Sequence, residues 1–414
     1  MSVLDNLNVY LVGGAVRDAL LSQPVVERDW VVVGATPEDM LTRGFKQVGN
    51  DFPVFLHPKT GEEYALARTE RKTGIGHQAF AFDTSESVTL EEDLTRRDLT
   101  INAIAQTPDG GLVDPCGGQA DLEARVLRHI GPAFSEDPLR VLRVARFAAR
   151  LAPLGFTLAP ETEALMREIS ESGELDSLSP ERVWSELSRA LMSSTPSVFI
   201  ETLRTCGALK VLLPEIDGLF GVPQPEQWHP EIDSGLHTQL ALDYAADQGF
   251  SGPVRFAVLL HDLGKAETPV ELLPKHHGHE ASSARLAAKV GERLRAPKQW
   301  ITLATNVARF HLHAHTAQEL RPKTLLKLLT ELGALRDPDH LERFLEACVA
   351  DARGRTGLEN REYPQADFLR GALHAVSDVD TAEIAKTGVT GAAFGEALQA
   401  ERIRKLRAYR QANT

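Results

Sequence analysis

The sequence predicts an α+β protein, in which a mixed sheet covered by helices is followed by an all-helical remainder. Two observations lead to this prediction. Short apolar runs alternate with helix starts over roughly the first 135 residues, and apolar positions recur at helical spacing over almost all of the chain after Ser135. Prolines at 214, 223, 225 and 230 interrupt the helical pattern between residues 214 and 234, and we place a domain boundary there.

Local signals predict the elements of the first part. Helix starts are recognised at Thr36 and Thr89, because an acidic residue three positions later completes a capping box in each case. A further helix is predicted over 15–21. Strands are predicted at 8–13, 30–33, 54–57, 64–67, 101–105 and 111–113, with 108–111 as the hairpin turn between the last two.

Charge and composition limit the function. The chain of 414 residues carries 45 basic and 58 acidic side chains, a formal net charge of −13. This sign excludes a protein that coats nucleic acid by bulk charge, so RNA or DNA binding requires a local basic surface. The cysteines at 116, 206 and 348 are widely spaced and odd in number, which argues against a disulfide framework or a cysteine zinc site. Neither a signal peptide nor a membrane span is indicated, so we expect a cytoplasmic protein.

The segment LVGGAVRD places Gly13 and Gly14 between a predicted strand and a predicted helix. Two glycines let a backbone approach a phosphate closely, and Arg17 on the first turn can add a charge-assisted contact. A plain turn is the alternative reading of such a pair. Further along, Glu27 and Asp29 stand two positions apart at the entry of an apolar run, so strand alternation puts both carboxylates on one face.

Adjacent carboxylates repel each other unless a cation lies between them, and oxygen ligands near a phosphate site suit Mg²⁺. The alternative is a solvated strand entry with ordinary surface charge. The glycine pair upstream of Glu27 and Asp29 favours the metal site over that alternative.

This combination resembles the nucleotidyltransferase superfamily of DNA polymerase beta. Two further blocks, RRDLTINA at 96–103 and EDPLRVLR at 136–143, are similar to motifs of the bacterial tRNA nucleotidyltransferases, the CCA-adding enzymes. The four blocks follow the family's order over essentially the whole chain, and the long bacterial form is the most similar. The family usually has Asp where this chain has Glu27, so Asp29 is the firmer ligand, and Glu63 is a candidate third carboxylate.

The resemblance implies template-independent addition and repair of the 3′-terminal CCA of tRNA from CTP and ATP. It gives Glu27 and Asp29 the role of catalytic ligands of two Mg²⁺ ions, which would activate the attacking hydroxyl and hold the leaving pyrophosphate. The nucleotide triphosphate would be bound at Gly14, Arg17 and Arg97.

The segment 136–150 is predicted to be a helix with Arg140, Arg143, Arg146 and Arg150 on one face. Asp137 lies three positions before Arg140, so we expect the two side chains to project together. Cytosine and adenine each present an amine beside an unprotonated ring nitrogen, which an acceptor and a donor match; guanine and uracil do not. The resemblance assigns this base-reading role to Asp137 and Arg140, and gives Arg143 and Arg146 a bracing or stacking role. A solvated basic face is the alternative.

A histidine-rich region follows. His261 and Asp262 end an apolar helix, His237 precedes them and Asp351 follows on a later helix, a set that resembles the HD phosphohydrolases. Imidazole and carboxylate together suit a divalent transition metal such as Ni²⁺, Co²⁺ or Mn²⁺, of which we expect Ni²⁺. The implied activities are phosphatase, 2′,3′-cyclic phosphodiesterase and 2′-nucleotidase. Candidate ligands of a second metal are His276, His277, His279 and His311; capping and surface histidines are the alternative.

Four domains are therefore expected: a nucleotidyltransferase head over 1–135, a helical neck and body over 136–225, an HD domain over 226–352 and a helical tail over 353–414. The helix predicted at 394–410 is rich in Arg and Lys, which indicates either a solvated face or a contact with the tRNA backbone. The expected partners are the tRNA acceptor stem and 3′ end, ATP and CTP, with no membrane, in a monomer or homodimer. The competing interpretations are a bacterial poly(A) polymerase and a non-catalytic RNA-binding relative.

Overall fold

A computed structural model of the chain describes residues 3–48, 54–72, 80–83 and 85–413, with the backbone alone described for 70–72 and 80–83. The chain forms two compact units. The first comprises Met1–Glu186 with Glu201–Leu212, and the second comprises Leu187–Ile200 with Leu213–Thr414.

All strands described lie in the first unit: β1 Asn8–Val12, β2 Asp29–Val33, β3 Lys46–Val48, β4 Val54–Leu56, β5 Glu63–Leu66, β6 Thr69–Lys72, β7 Phe80–Asp83, β8 Ala105–Gln106, β9 Leu112–Val113, β10 Val126–Leu127 and β11 Thr157–Leu158. Seven of them form one sheet in the order β3-β4-β5-β2-β1-β8-β9. The β2–β5 pair is parallel and its other pairs are antiparallel, so the sheet is mixed, as predicted.

The first unit contains the helices α1 Gly14–Leu20, α2 Pro37–Thr42, α3 Leu90–Thr95, α4 Gly118–Ala124, α5 Leu139–Leu151, α6 Pro160–Glu171 and α9 Ala208–Leu212. The helices α7 Pro180–Leu191 and α8 Pro196–Thr205 are each divided between the two units. Both predicted capping boxes are present, at Thr36 and Thr89, where the threonine accepts from the N3 backbone and the N3 acid accepts from the threonine backbone.

The second unit is helical: α10 Pro214–Asp217, α11 Ser234–Asp247, α12 Gly252–Leu260, α13 His279–Arg293, α14 Lys298–His315, α15 Pro322–Glu331, α16 Pro338–Arg353, α17 Pro364–Ser377, α18 Thr381–Lys386 and α19 Gly391–Asn413. Four of these helices, α11, α12, α14 and α16, pack against one another. Apolar side chains such as Phe256 and Phe344 fill the space between them and are fully buried, so the polar side chains that also point inward are held in a dry, rigid setting.

Two details of the sequence prediction are wrong. Residues 100–102 form a 3₁₀ turn, so the strand predicted at 101–105 shortens to β8. Helix α5 begins at Leu139, which leaves Asp137 outside it. The proline-rich segment 214–234 is packed into the second unit, where Pro223 and Asp233 form a β-bridge and Gln224 is buried.

Candidate active sites

The glycine pair connects β1 to α1. Gly13 has φ +69, and a Cβ atom there would lie 3.1 Å from Nη1 of Arg97. Glycine therefore serves both the left-handed backbone and the close approach of the guanidinium. The structure thus places Arg97 directly against the turn, where the sequence predicts a triphosphate.

The predicted carboxylates lie at the end of the sheet where β1 leads into this turn. Asp29 begins β2, and its Cα pairs with Val12 of β1 on one side and Glu63 of β5 on the other. Glu27 lies before the first residue of β2, so the two carboxylates are not on the same strand, in contrast to the prediction. Shielding from solvent raises the pKa of Asp29; Arg97 lowers it and the charge of Glu27 raises it, with a net increase. The interaction of Glu27 with Asp29 is the like-charge repulsion that a cation would relieve.

Arg97 is held by Asp93, whose Oδ2 accepts from its Nε at 3.3 Å and from its Nη2 at 3.0 Å. Burial alone would raise the pKa of Asp93, but Arg97 and Arg96 lower it below its ordinary value. The paired, charged Asp93 fixes the Arg97 side chain beside Gly13.

Arg17 does not have the open position expected of a phosphate ligand. Its side chain is 1% exposed. Nη1 donates to Oδ1 of Asn102 at 2.6 Å, while Nε and Nη2 donate to Oδ1 of Asp18 at 2.9 and 2.7 Å. The structure therefore encloses Arg17 within a buried polar network behind the turn.

Three arginines of α5 form ion pairs with acidic side chains. Arg143 donates to Asp98, with Nε 2.8 Å from Oδ2. Similar ion pairs join Arg146 to Glu186 at 2.5 Å and Arg150 to Asp18 at 2.6 Å. These contacts join α5 to Asp98, Glu186 and Asp18 of the first unit. Arg146 is largely buried, whereas 36% of the Arg143 side chain and 43% of the Arg150 side chain are exposed.

Asp137 and Arg140 do not project from one helix. The carboxylate of Asp137 accepts from Nη2 of Arg182 at 3.1 and 2.8 Å. Arg140 is buried and donates to the carbonyl oxygens of Arg96 at 2.6 Å and Ala133 at 3.0 Å. Helix α5 begins only after Asp137, so helical spacing does not relate the two side chains. Arg182 is a neighbour that the motif spacing gave no means of finding.

In the second unit the four predicted HD residues come together and are buried. Nε2 of His237 lies 3.1 Å from Oδ1 of Asp351, and Nε2 of His261 lies 3.1 Å from Oδ2 of Asp262 and 3.8 Å from Oδ1 of Asp351. Ligand atoms of His237, His261 and Asp351 lie within 4.8 Å of one another, as a metal centre requires.

A second group of ligand atoms adjoins the first through Asp262. Oδ1 of Asp262 lies 3.1 Å from Nε2 of His279 and 3.6 Å from Nε2 of His311. The other two histidines named from the sequence are not part of it. His276 binds Thr268 through Nδ1 and the carbonyl of Pro223 through Nε2, and His277 is exposed.

The backbone sets the tautomer of three imidazoles. Nδ1 of His261, His279 and His311 lies 2.7, 2.6 and 3.0 Å from the carbonyl oxygens of Val258, His276 and Val307 respectively. A carbonyl only accepts, so Nδ1 carries a proton and Nε2 is the nitrogen directed into the cluster. Among the residues described, the buried His261 Nε2, Asp262 Oδ1 and His279 Nε2 have no hydrogen-bond partner, which fits a site built for metal.

Electrostatics supports the same assignment. Burial lowers the pKa of His311 to about 3, so its imidazole is neutral, the form that binds metal. Burial alone would raise the pKa of Asp262 and of Asp351; neighbouring cationic groups, among them Lys265 and Arg355, instead hold each pKa well below its ordinary range. Both carboxylates are therefore charged.

Three side chains that contact these carboxylates were missed from the sequence. Nζ of Lys265 lies 2.5 Å from Asp262, Nη2 of Arg355 donates to Asp351 at 2.7 Å, and Nε2 of His315 lies 2.6 Å from Asp351. Lys265 and Arg355 follow their partners by three and four residues, and His315 follows His311 by four. This helical spacing was a signal available in the sequence.

The proline-rich segment supplies a further carboxylate. Oε1 of Glu231 lies 2.9 Å from Nδ1 of His237, the nitrogen that faces away from Asp351, and 3.2 Å from Nδ1 of His229. Burial lowers the pKa of His229 to about 3, so it is neutral. Glu231 therefore orients the His237 ring from the side facing away from Asp351, a role that the prolines of this segment did not indicate.

Comparisons with known proteins agree with this arrangement. Residues 9–128 match the family model described as the Poly A polymerase head domain, residues 155–219 match a probable RNA and SrmB-binding site of polymerase A, and residues 235–348 match the HD domain. The chain is thus of the class in which a polymerase head precedes an HD domain, and the predicted fold class is confirmed.

Curated relatives narrow this class. The multifunctional CCA proteins of Pseudomonas fluorescens strain Pf0-1 and Alcanivorax borkumensis are each 58% identical over 405 residues, covering 98% of this chain and 99% of theirs. That of Alkalilimnicola ehrlichii is 59% identical over 402 residues, 97% of each chain. The chain belongs to the multifunctional CCA protein family, which confirms the resemblance seen in the sequence.

Solved structures share the fold at lower identity. The Bacillus stearothermophilus CCA-adding enzyme in complex with CTP has a TM-score of 0.66 at 22% identity, over 98% of this chain and 91% of that chain. The Thermotoga maritima CCA-adding enzyme complexed with tRNA has a TM-score of 0.62 at 20% identity, over 98% and 89%. Within the part of this chain that the structure describes, no helix has the length and apolar character needed to span a membrane.

Proposed function

We propose that the first unit adds and repairs the 3′-terminal CCA of tRNA from CTP and ATP without a template. The observation that carries the proposal is the position of Asp29, which is paired with the end of β1 before the glycine turn and with Glu63 of β5. Carboxylates beside a phosphate-binding turn are the arrangement that nucleotidyl transfer requires. The relatives named for CCA addition support the same reaction.

In this proposal Asp29 and Glu27 hold Mg²⁺, with Glu63 as a third candidate. The ions would activate the tRNA 3′ hydroxyl and hold the leaving pyrophosphate. Gly13 and Gly14 let the backbone approach the phosphates, and Arg97 neutralises their charge from its position against the turn. Arg17 stabilises the turn from behind, because its guanidinium is committed to Asp18 and Asn102.

Base choice is proposed to rest on Asp137 and Arg140, which adjoin each other at the start of α5. Each is bound by protein groups, Asp137 by Arg182 and Arg140 by three backbone carbonyls. Reading a base edge therefore requires these contacts to be exchanged or shared when CTP or ATP enters. Arg143 and Arg146 brace the helix through Asp98 and Glu186.

The test is incubation of tRNA lacking its CCA end with CTP, ATP and Mg²⁺. We expect C, C and A to be added in order and addition to stop. Asp29→Ala should remove the activity, while Asp176→Ala, a matched change at an exposed aspartate of the same unit, should leave it intact. Extended A incorporation would instead indicate a poly(A) polymerase, and absence of turnover with Mg²⁺ would indicate a non-catalytic RNA-binding protein.

We also propose that the second unit is a metal-dependent phosphohydrolase with phosphatase, 2′,3′-cyclic phosphodiesterase and 2′-nucleotidase activity on RNA ends. Support comes from imidazole Nε2 atoms that converge on Asp262 without hydrogen-bond partners among the described residues. His237, His261 and Asp351 would hold one ion and His279 and His311 another, with Asp262 between them. Nitrogen and oxygen ligands together favour Ni²⁺ over Mg²⁺.

The test measures bound Ni²⁺ and hydrolysis of a nucleoside 2′,3′-cyclic phosphate. His261→Ala should lose hydrolysis, and His279→Ala should lower the bound metal from two equivalents toward one. His277→Ala changes an exposed neighbour of the cluster and should alter neither quantity. Equal metal content in wild type and His279→Ala would reject the second ion.

The remaining assignments follow from these two activities. The tRNA acceptor stem and 3′ end are the proposed partners, and the cytoplasm is the proposed location. In the tail, α19 carries Arg402, Arg404, Lys405, Arg407 and Arg410, among which Arg404 is exposed and paired with Glu401 at 2.6 Å. A phosphate could replace that weak surface pair, so α19 is a proposed contact for the tRNA backbone.

A further inference from the structure

A closed circuit of side chains joins α1, the turn at 98–102 and α5 in the first unit. It runs from Asp18 to Arg17, then through Asn102 and Asp98 to Arg143, and returns along α5 to Arg150, which pairs with Asp18. Arg143 and Arg150 are seven residues apart, two turns on the same face of α5. The circuit therefore fixes α5 against α1 at two points.

Asn102 is the neutral member of this circuit. Its Oδ1 accepts from Nη1 of Arg17 at 2.6 Å, and its Nδ2 donates to Oδ1 of Asp98 at 2.9 Å. Asp98 accepts in addition from Nε of Arg143 at 2.8 Å. An amide is suited to this place because it presents an acceptor to a cation and a donor to an anion at once.

We propose that Asn102 is a positioning residue for nucleotide addition, which aligns the glycine turn with the helix that follows the base-reading residues. The proposal rests on the function proposed above for the first unit. The backbone oxygen of Asn102 lies 3.8 Å from where a Cβ of Gly13 would be, so the same residue touches the back of the turn. Through Asp98 and Arg143 it also sets the position of α5, at whose start Asp137 and Arg140 stand.

Two substitutions separate the donor from the acceptor. Asn102→Asp keeps an acceptor for Arg17 but places a second carboxylate against Asp98, whereas Asn102→Leu keeps the volume and leaves Arg17 and Asp98 each without a partner at this position. Neither changes a residue that is assigned above to binding nucleotide or metal. Their effect on nucleotide binding therefore reports alignment.

The experiment measures kcat, KM for CTP and the preference for CTP over UTP on tRNA lacking its CCA end, together with the thermal midpoint. Both variants should raise KM for CTP by about 10- to 100-fold and reduce the CTP preference. Asn306→Asp makes the same chemical change in the second unit, at an amide 2.9 Å from His340, and should change none of these parameters. A lower thermal midpoint with unchanged KM and preference would show a merely structural role and overturn the proposal.

A pH series adds a readout specific to the hydrogen bond. The carboxyl group that Asn102→Asp introduces regains, when protonated, the donor and the acceptor of the original amide. Lowering the pH from about 8.5 to about 6 should therefore reduce the KM defect of Asn102→Asp and leave that of Asn102→Leu unchanged. Equal pH dependence of the two variants would contradict the assignment. Equilibrium binding of CTP in the presence of Mg²⁺ compares the same variants without turnover. If the wild-type chain adds no nucleotide, the proposed function is refuted, and the binding measurement still tests the role of Asn102.

Discussion

The two candidate metal sites differ in how far the folded chain assembles them. In the second unit the ligand atoms lie within 4.8 Å of one another and are buried, whereas Glu27 and Asp29 of the first unit are exposed. Among the residues described, every cluster of three or more metal-ligand atoms at this spacing belongs to the second unit. The HD-domain cluster is therefore assembled by the folded chain itself, whereas the head carboxylates are accessible to solvent.

The chemistry of the ligands explains this difference. An imidazole has two nitrogens, so a helix carbonyl can fix one of them, as Val258 and Val307 do for His261 and His311, and leave the other directed into the cluster. A carboxylate is fixed where a cation contacts one of its oxygens, as Lys265 and Arg355 do for Asp262 and Asp351. Glu27 and Asp29, by contrast, are exposed, and their like charges repel each other.

The largest expected effect tests whether the sites are independent. Asp29→Ala should lower CMP and AMP addition by at least about 10³-fold, because a metal ligand is lost, while cyclic-phosphate hydrolysis persists. His261→Ala should produce the reverse. Both activities and bound metal are measured for each variant, with circular dichroism as the control for folding. Loss of both activities in folded Asp29→Ala would mean that the comparison between two sites is mistaken.

The next prediction concerns tolerance of ligand length. Glu27→Asp should keep or raise nucleotide addition, because the exposed side chain can adjust and the family usually has Asp there, whereas Glu27→Ala should be nearly inactive. Asp262→Glu should lower cyclic-phosphate hydrolysis by about 100-fold, because an extra methylene has no space in a fully packed cluster. Initial rates of both reactions decide the matter. Full activity of Glu27→Ala would show that this residue is not a ligand.

Substitutions at the two proposed base-reading residues should have a smaller effect than substitutions of the metal ligands. Asp137→Ala should cost on the order of 1–3 kcal/mol of discrimination between CTP or ATP and GTP or UTP, since one hydrogen-bonding edge is lost. Arg140→Ala should lose selectivity and stability together, because the carbonyls of Arg96 and Ala133 lose their donor. Competition assays with paired nucleotides and thermal unfolding measure the two effects. Unchanged selectivity in both variants would remove the base-reading role.

The sequence predicts most of what depends on local rules. Capping boxes and the glycine turn follow from neighbours in the chain, and the structure contains each of them. The H…HD…D order was taken from a family resemblance, and the structure brings those side chains together. What the sequence does not reveal is most of the other side-chain pairing across long separations. The sequence does not show that Arg17 is bound by Asn102, 85 residues away, or that Asp137 is bound by Arg182, 45 residues away. The strands β3, β10 and β11 were missed because two- or three-residue strands carry almost no periodicity.

The smallest expected effect concerns Asp98, a carboxylate of the first unit that, unlike Asp29, is buried and already bound by Asn102 and Arg143. Burial alone would raise the pKa of Asp98, but Arg143 and the amide of Asn102 more than offset this and hold it below its ordinary value. A depressed folded-state pKa stabilises the native state above the unfolded pKa of about 3.9, and this contribution is lost as the pH falls through the folded value. Urea midpoints of wild type should therefore decline between about pH 5 and pH 2.5 more steeply than those of Asp98→Asn, with Asp176→Asn following wild type. Parallel curves for wild type and Asp98→Asn would show that Asp98 is not held charged by its partners. In that case Asp262 and Asp351 of the second unit would be the carboxylates that are fixed by neighbouring cations, and the first unit would offer no such example.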